Sequence, residues 1–415
     1  MFIVLRNSWP LFLGMLLLML GNGLQGTLLG IRGAIEGFSP NTMAWVMSGY
    51  FIGFLGGSRM APEMIRRVGH VRVFAALASL VSAALILYAA IPNVIVWMLL
   101  RILIGFCFSG VYVVAESWLN DSATNETRGQ TLSLYIIVQM MGIVTAQGVL
   151  NFGDPAGYTL FIISSVLVSV SFAPILLSIS PAPLFQTTKP MSFKRLYKAS
   201  PTAVVGIFLL GTIFSALFGM TSVFGTEKGL DVSSITILVA MIYIGGMVCQ
   251  YPIGWASDRM DRRLLIIYLT VFGSITMVGA PFFANNLYSL MLILFMVGGV
   301  SNPLYSLYIA YMNDYLEPDD MAAASGGLIF ISGLGAIGGP FVVGWMMTNY
   351  GPDSFFIFLA VIMGLSAVWA IFRSTIREAP DVADTGSYAH ISPGTSVVAV
   401  ELAAEVAIDM AEEEA

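Results

Sequence analysis

Apolar stretches of about 20 residues follow one another from residue 9 to about residue 373, separated only by short polar breaks. This pattern leaves few options. A water-soluble fold could not bury so much apolar surface, whereas each stretch is long enough to cross a hydrocarbon layer of roughly 30 Å as a helix that satisfies its own backbone. Composition agrees, with 57% hydrophobic and 10% charged residues and a mean hydropathy of +0.86, against about 25% charged in ordinary globular domains. The chain reads as an all-α, polytopic membrane protein.

The pattern predicts twelve spans, at roughly 9–30, 42–60, 71–91, 94–119, 130–151 and 157–179, then 203–224, 233–256, 264–284, 288–313, 321–347 and 354–373. Arg6 ahead of the first run imitates a signal peptide, but the run is too long and lacks a small-residue cleavage site, so it is assigned to helix 1. Between the sixth and seventh stretches lies a polar, proline-bearing segment with Pro181, Pro183, Lys189, Lys194, Arg195 and Lys198. The expected organisation is a six-helix bundle over residues 1–180, a cytoplasmic linker over 181–201, a second six-helix bundle over 202–375 and a cytoplasmic tail over 376–415. The tail concentrates acid at Glu401, Glu405, Asp409 and residues 412–414, which accounts for much of the net charge of -6. It is expected to be disordered, although residues 397–410 have the composition of a short amphipathic helix. An acidic tail on an apolar chain excludes nucleic acid as a partner.

Cations set the expected orientation. With the amino terminus in the cytoplasm, Arg6, Arg59, Arg66, Arg67, Arg72, Arg128, the linker cations, Arg259, Arg262, Arg263, Arg373 and Arg377 all fall inside, and only Arg32 and Lys228 lie near the outer face. Both termini are then cytoplasmic, in a plasma membrane (the inner membrane of a bacterium). The halves also repeat: a shift of 193 positions carries Tyr50 onto Tyr243, Gly53 onto Gly246, Asn93 onto Asn286, Gly105 onto Gly298, Tyr112 onto Tyr305 and Gly142 onto Gly335.

Residues 254–263 join two apolar stretches through a knot of opposite charges, with Gly254, Asp258, Arg259, Arg262 and Arg263. Gly254 permits close approach of another backbone, and Asp258 stands where a carboxylate can pair with a helix end or an Arg. The spacing Gly-x-x-x-Asp-Arg followed by basic residues resembles the loop signature of the major facilitator superfamily, here between helices 8 and 9. The first-half counterpart keeps the basic residues Arg66, Arg67 and Arg72 but lacks the Asp-Arg pair, which leaves Asp258 as the latch. Three further strings, Ala61-Pro62, Val68-Gly69-His70-Val71-Arg72 and Glu116-Ser117-Trp118-Leu119-Asn120, resemble the bacterial YcaD-like branch of that superfamily. The resemblance implies two pseudo-symmetric six-helix bundles with a solute site between them near the membrane midplane.

Helix 4 carries Arg101, Gly105, Tyr112 and Glu116 within about 60° of one face. Arg101 lies roughly 10 Å inside the outer end. A guanidinium at that depth either snorkels outward or faces a cavity, and the cavity is favoured. The Arg-x-x-x-Gly string resembles the superfamily's helix 4 motif, often linked with proton coupling. Glu116 falls near the cytoplasmic interface, where Arg66, Arg67 or Arg128 is the expected partner. Asn22, Gln25 and Arg32 share about 80° of helix 1. Tyr243 and Gln250 share a face of helix 8, Asn302 and Tyr305 lie on helix 10, and Gln139 lies on helix 5. Each alone is as well explained by a helix-to-helix hydrogen bond. Together with Arg32, Arg101 and Tyr112 they form the candidate solute-binding set. Gly254, Asp258, Arg259, Arg262, Arg263, Arg66, Arg67, Glu116 and Arg128 form the candidate gate.

No Gly-Lys pair is present for a phosphate-binding loop, no His or Cys spacing suits a metal, and no Ser-His arrangement sits in the spans. No enzyme activity, cofactor or metal is expected. The expected function is secondary active transport of a small solute by alternating access, coupled to an ion gradient, with protons and the lipid bilayer as further partners and a monomer as the working unit. No carboxylate lies mid-membrane, and the internal bias is positive, which favours an anionic, zwitterionic or neutral amphipathic solute. A membrane-embedded sensor or a multidrug-type exporter remains the alternative.

Overall fold

The computed structural model describes residues 2–123, 125–176, 191–377, 380, 385–386, 388–392 and 394–414. The described residues are helical wherever they are regular. In chain order the helices are α1 (Phe2–Ile35), α2 (Pro40–Val68), α3 (His70–Ala90), α4 (Val94–Ser122), α5 (Asn125–Leu150), α6 (Thr159–Ser171) and α7 (Ala173–Leu176). They continue as α8 (Phe193–Ala199), α9 (Pro201–Glu227), α10 (Val232–Ser257), α11 (Arg262–Phe283), α12 (Leu287–Asn313), α13 (Pro318–Tyr350), α14 (Ser354–Ser374) and α15 (Val397–Glu414).

Ten of these, and α6 and α7 taken together, are among the described residues long and apolar enough to cross a membrane, which makes eleven candidate spans. The long helix α2 falls outside that set because its uncharged first two thirds are diluted by Pro40, Asn41, Thr42, Ser48 and four glycines, and its last third carries Arg59, Glu63, Arg66 and Arg67. The sixth expected span is broken at Phe172 into α6 and α7, and its last residues lie outside the described part of the chain. So do residues 177–190, which hold the expected boundary at 180 and 181.

Side-chain caps fix where the helices start and keep the breaks short. Asn93 accepts hydrogen bonds from the amides of Ile95 and Val96 (3.0 and 3.3 Å), and Asn286 accepts from those of Tyr288 and Ser289 (2.9 and 3.3 Å). Short breaks turn successive helices antiparallel. One face of the molecule therefore collects the α2–α3, α4–α5, α10–α11 and α12–α13 turns with most of the cations, and is called the basic face below. Part of the linker is ordered there: Leu196 of α8 is buried, the Met191 amide donates to the Ala323 carbonyl (2.7 Å), and Arg195 pairs with Asp320 (2.6 Å).

Packing in lipid gains nothing from expelling water, so helices associate where small residues let backbones touch. A Cβ on Gly53 would sit 1.8 Å from the Ile102 carbonyl oxygen, and one on Gly105 would sit 1.9 Å from that of Tyr50. These two contacts lock α2 to α4. They recur between α10 and α12, where Gly245 meets the Phe295 carbonyl and Gly298 meets that of Ile242. The α4-to-α12 shift is 193, as the sequence repeat has it, but the α2-to-α10 shift is 192, so Tyr50 and Gly53 correspond to Ile242 and Gly245. The one-residue slip arises because the packing contact, and not residue identity, sets the register.

Contacts between the first seven helices and the later ones include several at the face opposite the basic one. The Asn41 amide donates to Thr348 Oγ1 (3.1 Å), Asn151 Nδ2 donates to Thr236 Oγ1 (3.1 Å), and Gly30 packs on Ser222. Between these contacts and the basic face lies a cavity.

Gly105→Ala should lower the melting temperature of the purified protein by an amount equivalent to about 1–3 kcal/mol, the usual cost of overpacking. Gly148→Ala, whose Cβ would meet nothing within 4 Å, should leave it unchanged. Equal melting of the two variants would refute the close-approach account.

Candidate functional site

The cavity has a volume of about 180 Å³ and is bounded by α1, α2, α4, α5, α9, α10 and α12. Seven of the ten residues expected to bind solute reach it: Asn22, Gln25, Arg101, Tyr112, Gln139, Tyr243 and Asn302.

The helices that carry these residues fix their geometry. On α1, Gln25 Nε2 donates to Asn22 Oδ1 (3.2 Å), which turns Gln25 Oε1 toward α4 to accept from an Arg101 terminal nitrogen (2.8 Å). The other Arg101 terminal nitrogen reaches only the Met47 sulfur (3.3 Å), and the guanidinium lies 5.3 Å from the centre of the Tyr50 ring. Arg101 is 5% exposed, its Nε has no partner, and no carboxylate among the described residues pairs with it. Gln139 Nε2 is likewise buried without a partner. A thioether and a ring face are weak compensation for a buried charge, whose desolvation costs several kcal/mol. The wall thus presents a cation among neutral amide and hydroxyl groups, with no carboxylate among the described residues to neutralise it. Phe51, Phe214, Phe218 and Val239 line the cavity as its apolar portion.

Three expected residues lie elsewhere. Arg32 is tied at the opposite face by Glu36 (2.6 Å) and by the carbonyls of Pro155, Ala156 and Gly157, because a cation one turn from a helix end finds loop carbonyls before it finds a cavity. Tyr305 packs edge-on to Phe214 inside the second half, and Gln250 donates to Ser306 Oγ (3.3 Å) and to the Tyr388 hydroxyl. Helix-face arithmetic missed several residues of the wall. Tyr50 appeared in the sequence repeat only, while Thr27 and Gln147, which hydrogen-bond to each other (2.9 Å) across α1 and α5, stand beside residues that were singled out. Ser392 and Gly394, from the tail, also line the cavity. Nothing in the sequence pointed to them.

The candidate gate divides. Arg66 and Arg67 are exposed and pair with Glu63 on their own helix (2.7 and 2.6 Å), which holds the Glu63 carboxyl below its usual range. Arg128 pairs with Glu405 (2.9 Å). The expected pairing of Glu116 with one of these cations is therefore corrected. Glu116 is 1% exposed and points into the bundle, where it accepts from Tyr135 Oη (3.0 Å), from the amides of Ser396 (2.9 Å) and Ala399 (3.3 Å), and from the Ser396 hydroxyl.

On residues 254–263, Arg262 forms a fully buried pair with Asp314 (2.5 Å) and donates to Ser257 Oγ (3.1 Å) and to the Gly386 carbonyl. Burial pushes the Asp314 carboxyl up, and the Arg262 charge opposes this. Asp258 accepts from the Tyr388 amide (2.7 Å), with Arg262 at 3.5 Å. Gly254 leaves room for the Tyr388 ring, which a Cβ would meet at 2.8 Å. Arg263 reaches the Arg377 carbonyl, and Arg259 stacks on Trp255 (4.6 Å).

The profile of the Major Facilitator Superfamily matches residues 11–248 and 204–402. The chain belongs to that superfamily. Within it the chain is similar to the uncharacterized MFS-type transporter YcaD of Salmonella paratyphi A, with 25% identity over 369 residues, 87% of this chain and 94% of that protein. It is similar to YcaD of Escherichia fergusonii as well, with 26% identity over 368 residues and the same coverage. Among solved structures, a point mutant of the nucleoside transporter NupG superposes with a TM-score of 0.76 at 14% identity, over 88% of this chain and 99% of that one. A bacterial homolog of the human lysosomal transporter Spinster, inward-facing and occupied, superposes with a TM-score of 0.71 at 13% identity, over 92% and 98%. At these identities the structures speak for the fold alone. As a member of the superfamily, the protein is an integral membrane transporter of a small molecule.

Removing one partner of the buried Arg262–Asp314 pair should be costly. Asp314→Asn should destabilise the protein by about 3–5 kcal/mol, read as a large drop in melting temperature, and the double variant Arg262→Met, Asp314→Leu should recover part of it. A single variant that melts like the parent would contradict the burial of the pair.

Proposed function

We propose that the chain is a secondary active transporter of twelve crossings, α2 included, arranged as two pseudo-symmetric six-helix bundles that alternate access to the cavity between them. Residues 1–180 and 202–375 supply the bundles and residues 181–201 the linker. The recurrence of the α2–α4 glycine contacts in α10–α12 supports this division. The distribution of Lys and Arg supports a cytoplasmic basic face with both termini inside, in the inner membrane of a bacterium. An ion gradient drives the cycle, protons being the coupling ion in view of the helix 4 motif, and the monomer is the working unit.

One observation carries the substrate class: the Arg101 guanidinium is buried at the cavity with neutral partners only and its Nε without one. An anionic or zwitterionic solute would supply the missing charge, and its acceptors would take the free Arg101 donor. Phe51, Phe214 and Phe218 suit an apolar remainder, so the solute is small and amphipathic. Of the expected set, Asn22, Gln25, Arg101, Tyr112, Gln139, Tyr243 and Asn302 are assigned to binding. Arg32, Tyr305 and Gln250 are assigned to holding the scaffold. The same aromatic wall would serve a multidrug-type exporter. A sensor that binds without moving its solute is favoured by the tail residues built into the cavity wall.

Uptake by the purified protein in proteoliposomes, measured over a panel of small anionic and zwitterionic solutes and normalised to folded protein, tests the reading. Arg101→Lys should retain partial flux and Arg101→Ala at most about a hundredth, since the charge is lost along with the two-pronged geometry. Full flux in the Ala variant would end the assignment, and saturable binding with no flux in the parent would favour the sensor.

A further inference from the structure

The tail was expected to be disordered, yet it enters the molecule at the basic face. Ile391, Thr395, Ser396, Val400 and Leu402 are each at most 2% exposed. The segment buries apolar side chains such as Ile391, Ala399, Val400 and Leu402 in the core, and the groove that receives it also supplies partners for its backbone from both halves of the chain.

In the second half, Asp258 takes the Tyr388 amide (2.7 Å), Gln250 donates to the Tyr388 hydroxyl, and Arg262 donates to the Gly386 carbonyl. Ser306 Oγ donates to the Ile391 carbonyl (3.0 Å) and accepts from the Ile391 amide (3.0 Å), as a neighbouring strand would. In the first half, Glu116 caps α15. Its carboxylate accepts from the amides of Ser396 and Ala399 at the helix's amino end, where unpaired N–H groups and the helix dipole favour a negative charge. One turn and a half further on, Glu405 pairs with Arg128 (2.9 Å). Between these anchor points, Ser392 and Gly394 face the cavity.

We propose that the basic-face mouth of the cavity is a peptide-docking site whose occupant is the chain's own tail, a removable plug over residues 385–406. Docked, the plug forms the basic-face wall of the cavity and cross-links α4 and α5 to α10, α12 and α13, so the cavity cannot exchange solute on that side and the halves cannot rock. Released, it opens a path to the cavity and frees the two halves. Glu116 and Asp258 recognise it, each through backbone amides. Among the described residues no cation pairs with Glu116, so the plug and the buried carboxylate stabilise each other: the tail supplies donors that make the burial of Glu116 tolerable. This inference rests on the cavity being a solute site with access from the basic face, but not on which solute it takes.

Labelling of the cavity tests it without any solute. A single cysteine at Ile143, a cavity residue, in a Cys107→Ala, Cys249→Ala background, is reacted with a bilayer-impermeant maleimide applied to the basic face of oriented vesicles. Removing residues 385–415 should raise the labelling rate at least about tenfold, and Tyr388→Ala with Glu116→Gln in the full-length chain should raise it several-fold, as local opening replaces closure. A synthetic peptide of residues 385–406 added to the truncated protein should slow it again. Unchanged rates in both variants would overturn the plug. Fast labelling of the truncated protein that the peptide does not slow would also overturn it, by showing a loosened bundle in place of an emptied docking site. Because no transport is measured, failure here leaves the transport reading to its own test.

Discussion

A guanidinium buried among neutral groups is the constraint on which the central part of this structure depends. Arg101 has to be held by something, and what holds it is a chain of weak partners: Asn22 orients Gln25, Gln25 accepts from Arg101, and Met47 and Tyr50 sit against the remaining surface of the cation. Those partners come from α1 and α2, so the position of the charge depends on how closely these helices approach α4. The glycine contacts at Gly53 and Gly105 set that distance. The charge is thereby fixed but under-compensated, and on that under-compensation the proposed binding role rests. The contrast lies within the same chain: Arg262 is equally buried, but Asp314 neutralises it and Ser257 and Gly386 take further donors.

Helix α4 carries a second buried charge about 22 Å further along its axis, Glu116, given 1.5 Å per residue. The two ends of this helix are treated oppositely. At Arg101 the compensation is incomplete and the space in front is a cavity. At Glu116 the compensation is provided by amides of the tail, and the space is filled. The Gly254–Asp258–Arg262 constellation holds the same tail from later in the chain, with glycine making room for the Tyr388 ring, the carboxylate taking its amide and the guanidinium donating to the Gly386 carbonyl.

Much of this was legible in the sequence because lipid enforces simple rules. Span positions follow from apolar length, and the internal repeat follows from Gly, Asn and Tyr at a fixed shift. Seven cavity residues follow from polar side chains placed in apolar helices. What was not legible depends on partners far away in sequence. Arg32 shared a helix face with Gln25 but lay close enough to the end of α1 to reach the carbonyls of the α5–α6 loop. Glu116 was placed at the right depth, but its partner proved to be a backbone segment 280 residues later, which carries no charge pattern to announce it. The register between α2 and α10 slipped by one residue because identical residues do not have to make identical contacts. The tail has the composition of a disordered segment, and only the groove that receives it gives it structure.

The central claim is that Arg101 awaits an acceptor on a solute. The most direct measurement is the shift in melting temperature of the purified parent and of Arg101→Met over a titration of small anionic and zwitterionic solutes. The expected result is a saturable, solute-specific rise for the parent and none for the variant, whose own melting temperature without solute is at least that of the parent because an uncompensated charge has been replaced by an apolar chain. The same saturable rise in both proteins would contradict the claim.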